Sequence, residues 1–381
     1  MTKCYVSYHN ITSSLGFDSA TVFENLKQGK RAIQSVDEPF RFYKPFFGAV
    51  IPTEILNSAF QILTPNKDFT RLEKMLLLSL SETIKASGID ISDRVGLIIS
   101  TTKGNIDVLD TQSQFPQERG YLSDLGKIIQ NYYGFKNEAI VISNACVSGI
   151  LSVAIAKRYI QEGIYDQVFV VAGDLVSDFV ISGFNSFHAL SDGPSKPYDA
   201  NRKGINLGEV AASVLVTSNK KNLSEDAVEI LGEASCNDAN HISGPSRTGE
   251  GLYRSVKSAL AEANIDYNTI DYISAHGTAT LFNDEMEAIA FNRLGLEQTP
   301  LHSLKGYFGH TLGASGLLET IIGMQSLHHN TLIASAGFET LGVTKPLNII
   351  TETTSKKVRT FLKTASGFGG CNTAALFRAL S

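Results

Sequence analysis

The sequence predicts an α/β protein made of two similar layered halves. The first observation is that short runs of β-branched residues alternate with amphipathic stretches along the chain, as in folds whose helices cover a buried sheet. The second is that this alternation starts again after a polar connector, "NKKNLSED", near residue 220. The third is size, because 381 residues with 43% apolar content can form one large core or two medium ones.

The elements follow from local patterns. In the first half, the patterns predict strands in "KCYVSY", "RVGLIIS", "EAIVIS", "QVFVVAGD" and "EVAASVLVTS", and helices in "FTRLEKMLLLSLSETIKASG" and "VSGILSVAIAKRYI". In the second half, they predict strands in "AVEILGEAS", "DYISAH", "VRTFLKTAS" and "NTAALFRAL", and helices at 247–264, after Asp284 and from Gly313 to about His329. A strand-like "LHSLK" precedes the last helix. We therefore divide the chain into halves of residues 1–220 and 221–381, which share one core because no flexible linker separates them.

Composition excludes several classes of function. The net charge is −5 and the basic residues are scattered, which argues against nucleic acid as a partner. No apolar run reaches the ~18 residues that a membrane span needs, and the first residues lack the apolar core of a signal peptide. The widely spaced cysteines suggest neither a disulfide framework nor a zinc knuckle; they are Cys4, Cys146, Cys236 and Cys371. We expect a protein of the reducing cytoplasm.

Cys146 stands where a predicted strand passes into a predicted helix, in "AIVISNACVSGILSVAIAKRYI". The unpaired N–H groups and the dipole at a helix start favour a thiolate, the form of cysteine that attacks carbonyl groups. Taken alone, the stretch favours a buried cysteine that acts as a small apolar residue, which is what most free cysteines are. The choice between these interpretations depends on the rest of the chain.

Two histidines lie beside glycines at the ends of predicted elements. His276 ends "DYISAH" and is followed by "GTAT", and His310 lies in "SLKGYFGHTLGASGLLE" before the last helix. A neutral imidazole near a helix start can donate one hydrogen bond. No HExxH or CxxC spacing supports a metal site formed by these residues and Cys146. The "GFGG" stretch at 367–370 precedes a strand, so its glycines indicate close approach of a ligand rather than a phosphate-binding loop.

Five motifs in order resemble the β-ketoacyl-acyl carrier protein synthases of the thiolase superfamily, most closely the elongating type with a Cys-His-His triad. They are "NACVSG", "KPYDANRKGINLGEVAASVLV", "AHGTATLFNDEMEA", "LKGYFGHTLGASGLLE" and "GFGGCNTAALF". The resemblance implies a thiolase-like, duplicated five-layered α-β-α-β-α fold. It implies a condensing acyltransferase that uses acyl carrier protein as partner, with substrates carried on phosphopantetheine and no permanently bound cofactor. It also implies a homodimer, or a heterodimer with a ketosynthase-like partner.

The resemblance assigns roles to matching positions. Cys146 would be the acylated nucleophile, and His276 and His310 would promote decarboxylation and stabilise the enolate. Lys305 and Glu319 would support the histidines from behind. The N–H groups of Cys146 and Phe368 would form the oxyanion hole, with Phe368 as a gate. The positions expected to bind pantetheine or substrate are Thr278, Thr280, Phe308 and Gly369.

Departures from the family pattern leave the substrate open. The usual "HGTGT" reads "HGTAT", the usual "PLGD" reads "LFND" with Phe282 and Asn283, and the usual "GGTN" reads "GGCN" with Cys371. Thiolases use a second cysteine near the C-terminus, so a thiolase-like acyltransferase acting on coenzyme A thioesters is one alternative; the histidine motif favours the synthase. A non-catalytic partner subunit is a second alternative, but the retained Cys-His-His triad argues against it. Fatty-acid elongation is the default pathway. The sequence around "NRKGINLGE" is similar to that of synthases from aryl-polyene or flexirubin-type pigment clusters.

Overall fold

The computed structural model describes residues 2–38, 41–65, 68–238 and 244–380. Its strands, numbered along the chain, are β1 Cys4–Ser13, β2 Gln34–Val36, β3 Phe46–Ala49, β4 Val95–Ser100, β5 Ile140–Ile142, β6 Gln167–Asp174, β7 Leu207–Gly208, β8 Val210–Thr217, β9 Val228–Asn237, β10 Tyr272–Ser274, β11 Leu301–His302, β12 Thr331–Leu332, β13 Thr354–Ser355, β14 Thr360–Ser366 and β15 Cys371–Ala379. Its α-helices are α1 Ser19–Lys27, α2 Thr53–Leu63, α3 Arg71–Ser87, α4 Leu122–Tyr133, α5 Ser148–Gln161, α6 Asp178–Ser186, α7 Glu250–Ala263, α8 Leu281–Arg293, α9 Lys305–Phe308 and α10 Ser315–His328. Among the described residues, every helix is too short or too polar to traverse a bilayer.

The main sheet shows the predicted duplication as a repeated strand order. Its ten strands run β11-β10-β14-β15-β9-β1-β8-β6-β4-β5. In each half, the five strands taken in chain order occupy the same relative places, with the first strand, β1 or β9, innermost and the third, β5 or β11, at the edge. The two inner strands pair antiparallel with each other, which joins the halves into one sheet system.

The helices complete the five layers that the resemblance implies. α5 and α10 pack on each other, and each contacts strands of both halves, so they form the middle layer. On the outer faces, α3 covers β1, β6 and β8, and α7 covers β9 and β15. The strands between these layers are apolar along nearly their whole length, as expected for a sheet covered on both faces.

Element boundaries differ from the sequence predictions near the site. β10 ends at Ser274, two residues before His276, so the histidine lies in the loop that follows the strand. α8 begins at Leu281 rather than after Asp284. Lys305 starts the short helix α9 instead of ending a strand. Turn and loop geometry, which period-2 and period-3.6 patterns do not report, accounts for each shift.

Candidate active site

Cys146 lies in the turn that joins β5 to α5. The Ser148 hydroxyl ties this turn together, because it donates to the carbonyl of Ala145 at 2.7 Å and accepts from the N–H of Asn144 at 2.7 Å. Ala145 has a φ of 45°, in the left-handed region that a residue with a side chain adopts only in a sharply constrained bend. The turn thus places Cys146 at the amino end of α5, as the sequence predicts.

Two glycines let the central helices α5 and α10 cross at unusually short range. A Cβ atom on Gly149 would lie 2.8 Å from the backbone oxygen of Gly313, and one on Gly316 would lie 2.6 Å from the backbone nitrogen of Ile150. Any larger residue at either place would push the helices apart. The crossing brings the loop before α10, which carries His310, against the start of α5.

His310 contacts the nucleophile directly. Its Nε2 lies 3.0 Å from the Sγ of Cys146. On the other side of the ring, Nδ1 accepts a hydrogen bond from the backbone N–H of Leu312 at 3.1 Å. Because a backbone N–H can only donate, the neutral ring carries its proton on Nε2 and points that N–H at the sulfur.

His276 faces the same point from the loop after β10. Its ring centroid is 5.3 Å from that of His310, with the two rings nearly perpendicular at 81°. The Nζ of Lys305 lies 3.3 Å from Nδ1 and donates to the His276 carbonyl at 2.6 Å. The Glu287 carboxylate accepts the N–H groups of His276 and Gly277 at 2.9 and 2.7 Å. A lysine ammonium has only donors, so this imidazole also carries its proton on Nε2.

Both imidazoles are neutral in this environment. Burial, and next the positive charge of Lys305, hold the pKa of His276 and of His310 well below the usual range. The site therefore presents two neutral N–H donors near one sulfur. Such donors suit an oxygen on which negative charge develops.

The resting state of Cys146 differs from the local sequence expectation. The side chain is only 7% exposed, and burial, followed by the nearby Cys371, raises the pKa of its thiol to about 12, although Lys305 acts in the opposite direction. At neutral pH the sulfur therefore keeps its proton, despite its position at a helix start. The desolvation of the charged form outweighs the helix dipole here.

A buried chain of charges lies behind His276. Glu319 accepts from the Nζ of Lys305 through one oxygen at 2.9 Å, and its other oxygen is 2.7 Å from the Nζ of Lys363. Burial alone would raise the pKa of Glu319, but the charges and hydrogen bonds of Lys305 and Lys363 outweigh it and hold the pKa below its usual value, so Glu319 is ionised. The sequence analysis missed Lys363, although a lone lysine inside the apolar strand "VRTFLKTAS" is a signal that could have found it.

The turn between β14 and β15 forms another side of the site. Gly367 approaches the nucleophile so closely that a Cβ there would lie 3.1 Å from the backbone nitrogen of Cys146. The following Phe368 is 38% exposed, and its ring lies 5.7 Å from that of Phe184 and 5.5 Å from that of Phe187. Aromatic rings from α6 and the residue after it thus flank the turn.

A cavity of about 480 Å³ opens in front of the triad. Of the residues singled out in the sequence, it is lined by Cys146, His276, His310, Thr278, Thr280, Phe368, Phe282 and Asn283. Lining residues that the sequence analysis did not identify include Phe184, Phe187, His188, Arg202 and Ile205. The hydroxyls of Thr278 and Thr280 lie 2.8 Å apart, side by side at this wall.

Two residues expected to bind substrate do not line the cavity in the described part of the chain. Phe308 is buried in the central apolar core, because the single turn of α9 rotates it away from His310. Gly369 lies in the turn between β14 and β15 with a φ of 84°, and its neighbours Phe368 and Gly370 form the wall instead. Lys305 and Glu319 lie behind the histidines, as expected.

Cys146, His276 and His310 offer potential metal-ligand atoms within 4.8 Å of one another. Binding a metal through Nε2 would move each ring proton to Nδ1. There it would face the N–H of Leu312 or the ammonium of Lys305, both of which are donors. The arrangement therefore fits acyl transfer better than metal coordination.

Comparisons with known proteins agree with this chemistry. The chain matches the family described as "Beta-ketoacyl synthase, N-terminal domain" over residues 10–222 and "Beta-ketoacyl synthase, C-terminal domain" over residues 227–339. It is 28% identical to 3-oxoacyl-[acyl-carrier-protein] synthase 2 of Coxiella burnetii over 95% of each chain. It is also 28% identical to the ketoacyl synthase alpha subunit of the tetracenomycin polyketide synthase of Streptomyces glaucescens, over 81% of each chain.

A solved structure shares the fold over the whole chain. It is the ketosynthase ApeO in complex with its chain length factor ApeC from Xenorhabdus doucetiae, with 25% identity, a TM-score of 0.87 and coverage of 100% of this chain and 98% of that one. The family match extends over both halves that contribute to the site, the nucleophile from the first and the two histidines from the second. The chain belongs to the β-ketoacyl synthase family, and it is a condensing enzyme of the acyltransferase type that serves fatty-acid or polyketide biosynthesis.

Proposed function

We propose that this enzyme joins an acyl group held on Cys146 to malonyl-acyl carrier protein by decarboxylative condensation, giving a 3-oxoacyl-acyl carrier protein. The observation that carries the proposal is the pair of neutral Nε2–H donors, of which that of His310 lies 3.0 Å from the Cys146 sulfur. Two donors beside a nucleophile suit a reaction in which a thioester oxygen becomes negative.

In the first step, the sulfur of Cys146 attacks the thioester carbonyl of an acyl group on phosphopantetheine. The new bond joins that carbonyl carbon to Cys146, the bond to the pantetheine sulfur breaks, and the thiol proton leaves with the pantetheine. The N–H groups of Cys146 and Phe368 would hold the oxyanion, since Gly367 lets the two segments approach closely. Thr278 and Thr280, at the cavity wall, would bind the pantetheine arm.

In the second step, malonyl-acyl carrier protein enters the same cavity and loses carbon dioxide. The electron pair of the broken bond becomes an enolate, whose oxygen accepts from His276 and His310. The enolate carbon attacks the acyl carbonyl, the bond to Cys146 breaks, and the sulfur takes a proton from solvent, which replaces the one that left with the pantetheine in the first step. Neutral imidazoles serve this step because an imidazolium would have to be desolvated as a charge.

We further propose that the enzyme works as a pair of related chains, in which β5 pairs with its counterpart. β5 is an edge strand of the ten-stranded sheet, and the exposed Ser143 and Asn144 lead from it to the nucleophile. ApeO is in complex with a chain length factor, which supports a ketosynthase-like partner as much as a second identical copy.

Intact-mass measurement after exposure to acyl-acyl carrier protein tests the first step. The wild type should gain one acyl group and release free carrier protein, whereas Cys146→Ala should gain none. Cys371→Ser is the matched control and should be acylated like the wild type, because the Cys371 sulfur lies against the carbonyls of Phe368 and Asn144 at 3.4 and 3.8 Å. Equal labelling of the wild type and Cys146→Ala would overturn the assignment.

Measurement of carbon dioxide release, with acyl-coenzyme A and malonyl-acyl carrier protein supplied in separate reactions, separates the thiolase-like alternative. A thiolase-like enzyme would accept acyl-coenzyme A and condense it with a second acyl-coenzyme A, without releasing carbon dioxide. It would also depend on Cys371. The neutral His276 in the cavity favours the decarboxylating reaction.

A further inference from the structure

Lys363 is a lysine without exposed surface, in the middle of β14. A buried ammonium is costly unless charged and polar partners surround it. Its Nζ donates to the carbonyl of Ser274 at 2.9 Å and contacts that of Ala275 at 3.4 Å. It also forms the ion pair with Glu319 at 2.7 Å. Its shortest hydrogen bond, at 2.5 Å, goes to the carbonyl of the next residue, Thr364, whereas the other three partners connect it to His276.

The first route runs along the backbone. Ser274 ends β10, and Ala275 is the link between that strand and His276. With Lys305 on the carbonyl of His276 itself, three consecutive carbonyl groups are held by two ammonium groups. The two lysines therefore hold the carbonyl groups of the segment that presents the imidazole, while Glu287 holds its N–H groups at His276 and Gly277.

The second route runs through Glu319. One carboxylate oxygen holds the ammonium of Lys305, which contacts Nδ1 of His276, and the other holds Lys363. Without Lys363, Glu319 would lose one of its two cations and its orientation would depend on Lys305 alone. We propose that Lys363 is a positioning residue for the proposed condensation, which holds the His276 imidazole in place through Glu319 and the carbonyls of Ser274 and Ala275.

The charge of Lys363 has a consequence that a merely structural lysine would not have. Around His276, the charged and titratable groups come from α8, α9, α10, β14, the loop before α10 and the α5 turn; they are Asp284, Glu287, Lys305, Glu319, Lys363, His310 and Cys146. Burial and Lys305 are the main causes that lower the pKa of His276, and Lys363 acts in the same direction. Removing this cation should raise the pKa of His276.

The test compares Lys363→Met with Lys157→Met, a matched control. Lys157 is another buried lysine with an acidic partner, Glu262, but it lies toward the carboxyl end of α5 and does not line the cavity. For Lys363→Met, we expect Cys146 to be acylated at close to the wild-type rate. Decarboxylation of malonyl-acyl carrier protein should fall, by up to about 100-fold for a misplaced group. Lys157→Met should change neither rate.

The pH profile of decarboxylation tests the direction in which the pKa of His276 changes. A histidine whose pKa lies below its ordinary value stays neutral until the pH falls through that lower pKa, and only then is a reaction that needs the neutral ring lost. The acid-side loss of decarboxylation should therefore move to higher pH in Lys363→Met. An unchanged rate and profile in the folded variant, or an equal loss of acylation and decarboxylation, would overturn the proposal.

A second variant and a second measurement cover the remaining outcomes. If Lys363 acts through Glu319, Lys363→Met should add less to a Glu319→Gln background than to the wild type, and full additivity would count against it. The proposal rests on the proposed function only for its rate assays. NMR titration of the His276 ring in the wild type and in Lys363→Gln measures the same pKa change without a rate assay. It would report that change even if the wild type did not decarboxylate malonyl-acyl carrier protein, and that lack of decarboxylation would refute only the proposed function.

Discussion

Single side chains decide which protons the site can offer. The tautomers of both histidines are set by donors on their far sides, the N–H of Leu312 and the ammonium of Lys305. The reactive N–H groups are thus fixed by neighbours that never touch the substrate. This is the pattern expected for a preorganised site, in which no reorientation is needed when charge develops.

His310→Ala separates the two proposed steps. The variant should still acquire the acyl group on Cys146, because the sulfur and the Gly367 turn remain. It should release carbon dioxide from malonyl-acyl carrier protein about 10² to 10³ times more slowly, as on loss of one oxyanion donor. Intact mass follows acylation, and labelled carbon dioxide follows decarboxylation. Normal decarboxylation would show that the roles are wrongly assigned.

At the level of helices and turns, the packing of α5 against α10 sets the distance between the Cys146 sulfur and the His310 imidazole. α5 and α10 can approach because Gly149 and Gly316 have no Cβ. Cys146 and His310 lie just before these helices, so their contact depends on the crossing. A change to the crossing should therefore alter the chemistry without touching a catalytic side chain.

Gly149→Ala tests this dependence. Its Cβ would meet the backbone of Gly313 at 2.8 Å, so we expect overpacking to lower the free energy of unfolding by about 1–3 kcal/mol. We also expect the rate of condensation to fall by more than this loss of stability would explain. Gly183→Ala in α6 is the control, since a Cβ there meets nothing within 4 Å. Thermal unfolding and turnover are measured on both. Full activity in Gly149→Ala would show that the helices can separate without consequence.

Across the whole molecule, layered architecture and the triad were predictable, whereas long-range partners were not. Alternating patterns indicated the strands, and the resemblance of five ordered motifs to the β-ketoacyl synthases linked Cys146 to His276 and His310. The same patterns could not reveal that Lys363 pairs with Glu319, because that contact joins a strand and a helix distant in sequence. Phe308 was expected to bind pantetheine or substrate but lies in the central apolar core, and its nearness to His310 in the sequence does not reveal the short helix α9 that ends at Phe308.

The proposed assembly through β5 gives a prediction that can be tested on the whole protein. The backbone amides of β5 should exchange with deuterated water as slowly as those of β4 when the chain is paired, and faster on dilution below the dissociation constant of the pair. Sedimentation at the same concentrations should show the mass change from two chains to one. Rapid exchange of β5 in an assembled pair would place the interface elsewhere.

The glycine crossing also determines where this enzyme can change. The backbone contacts at Gly149 and Gly316 leave no room for a Cβ atom, so substitutions there should impair condensation whatever the substrate. The rim of the cavity is different, because Phe187, Phe282 and Phe368 border the cavity and are more than a third exposed. Substitution of these aromatic residues can therefore change which acyl group is preferred, while the distance between the Cys146 sulfur and the His310 imidazole stays the same.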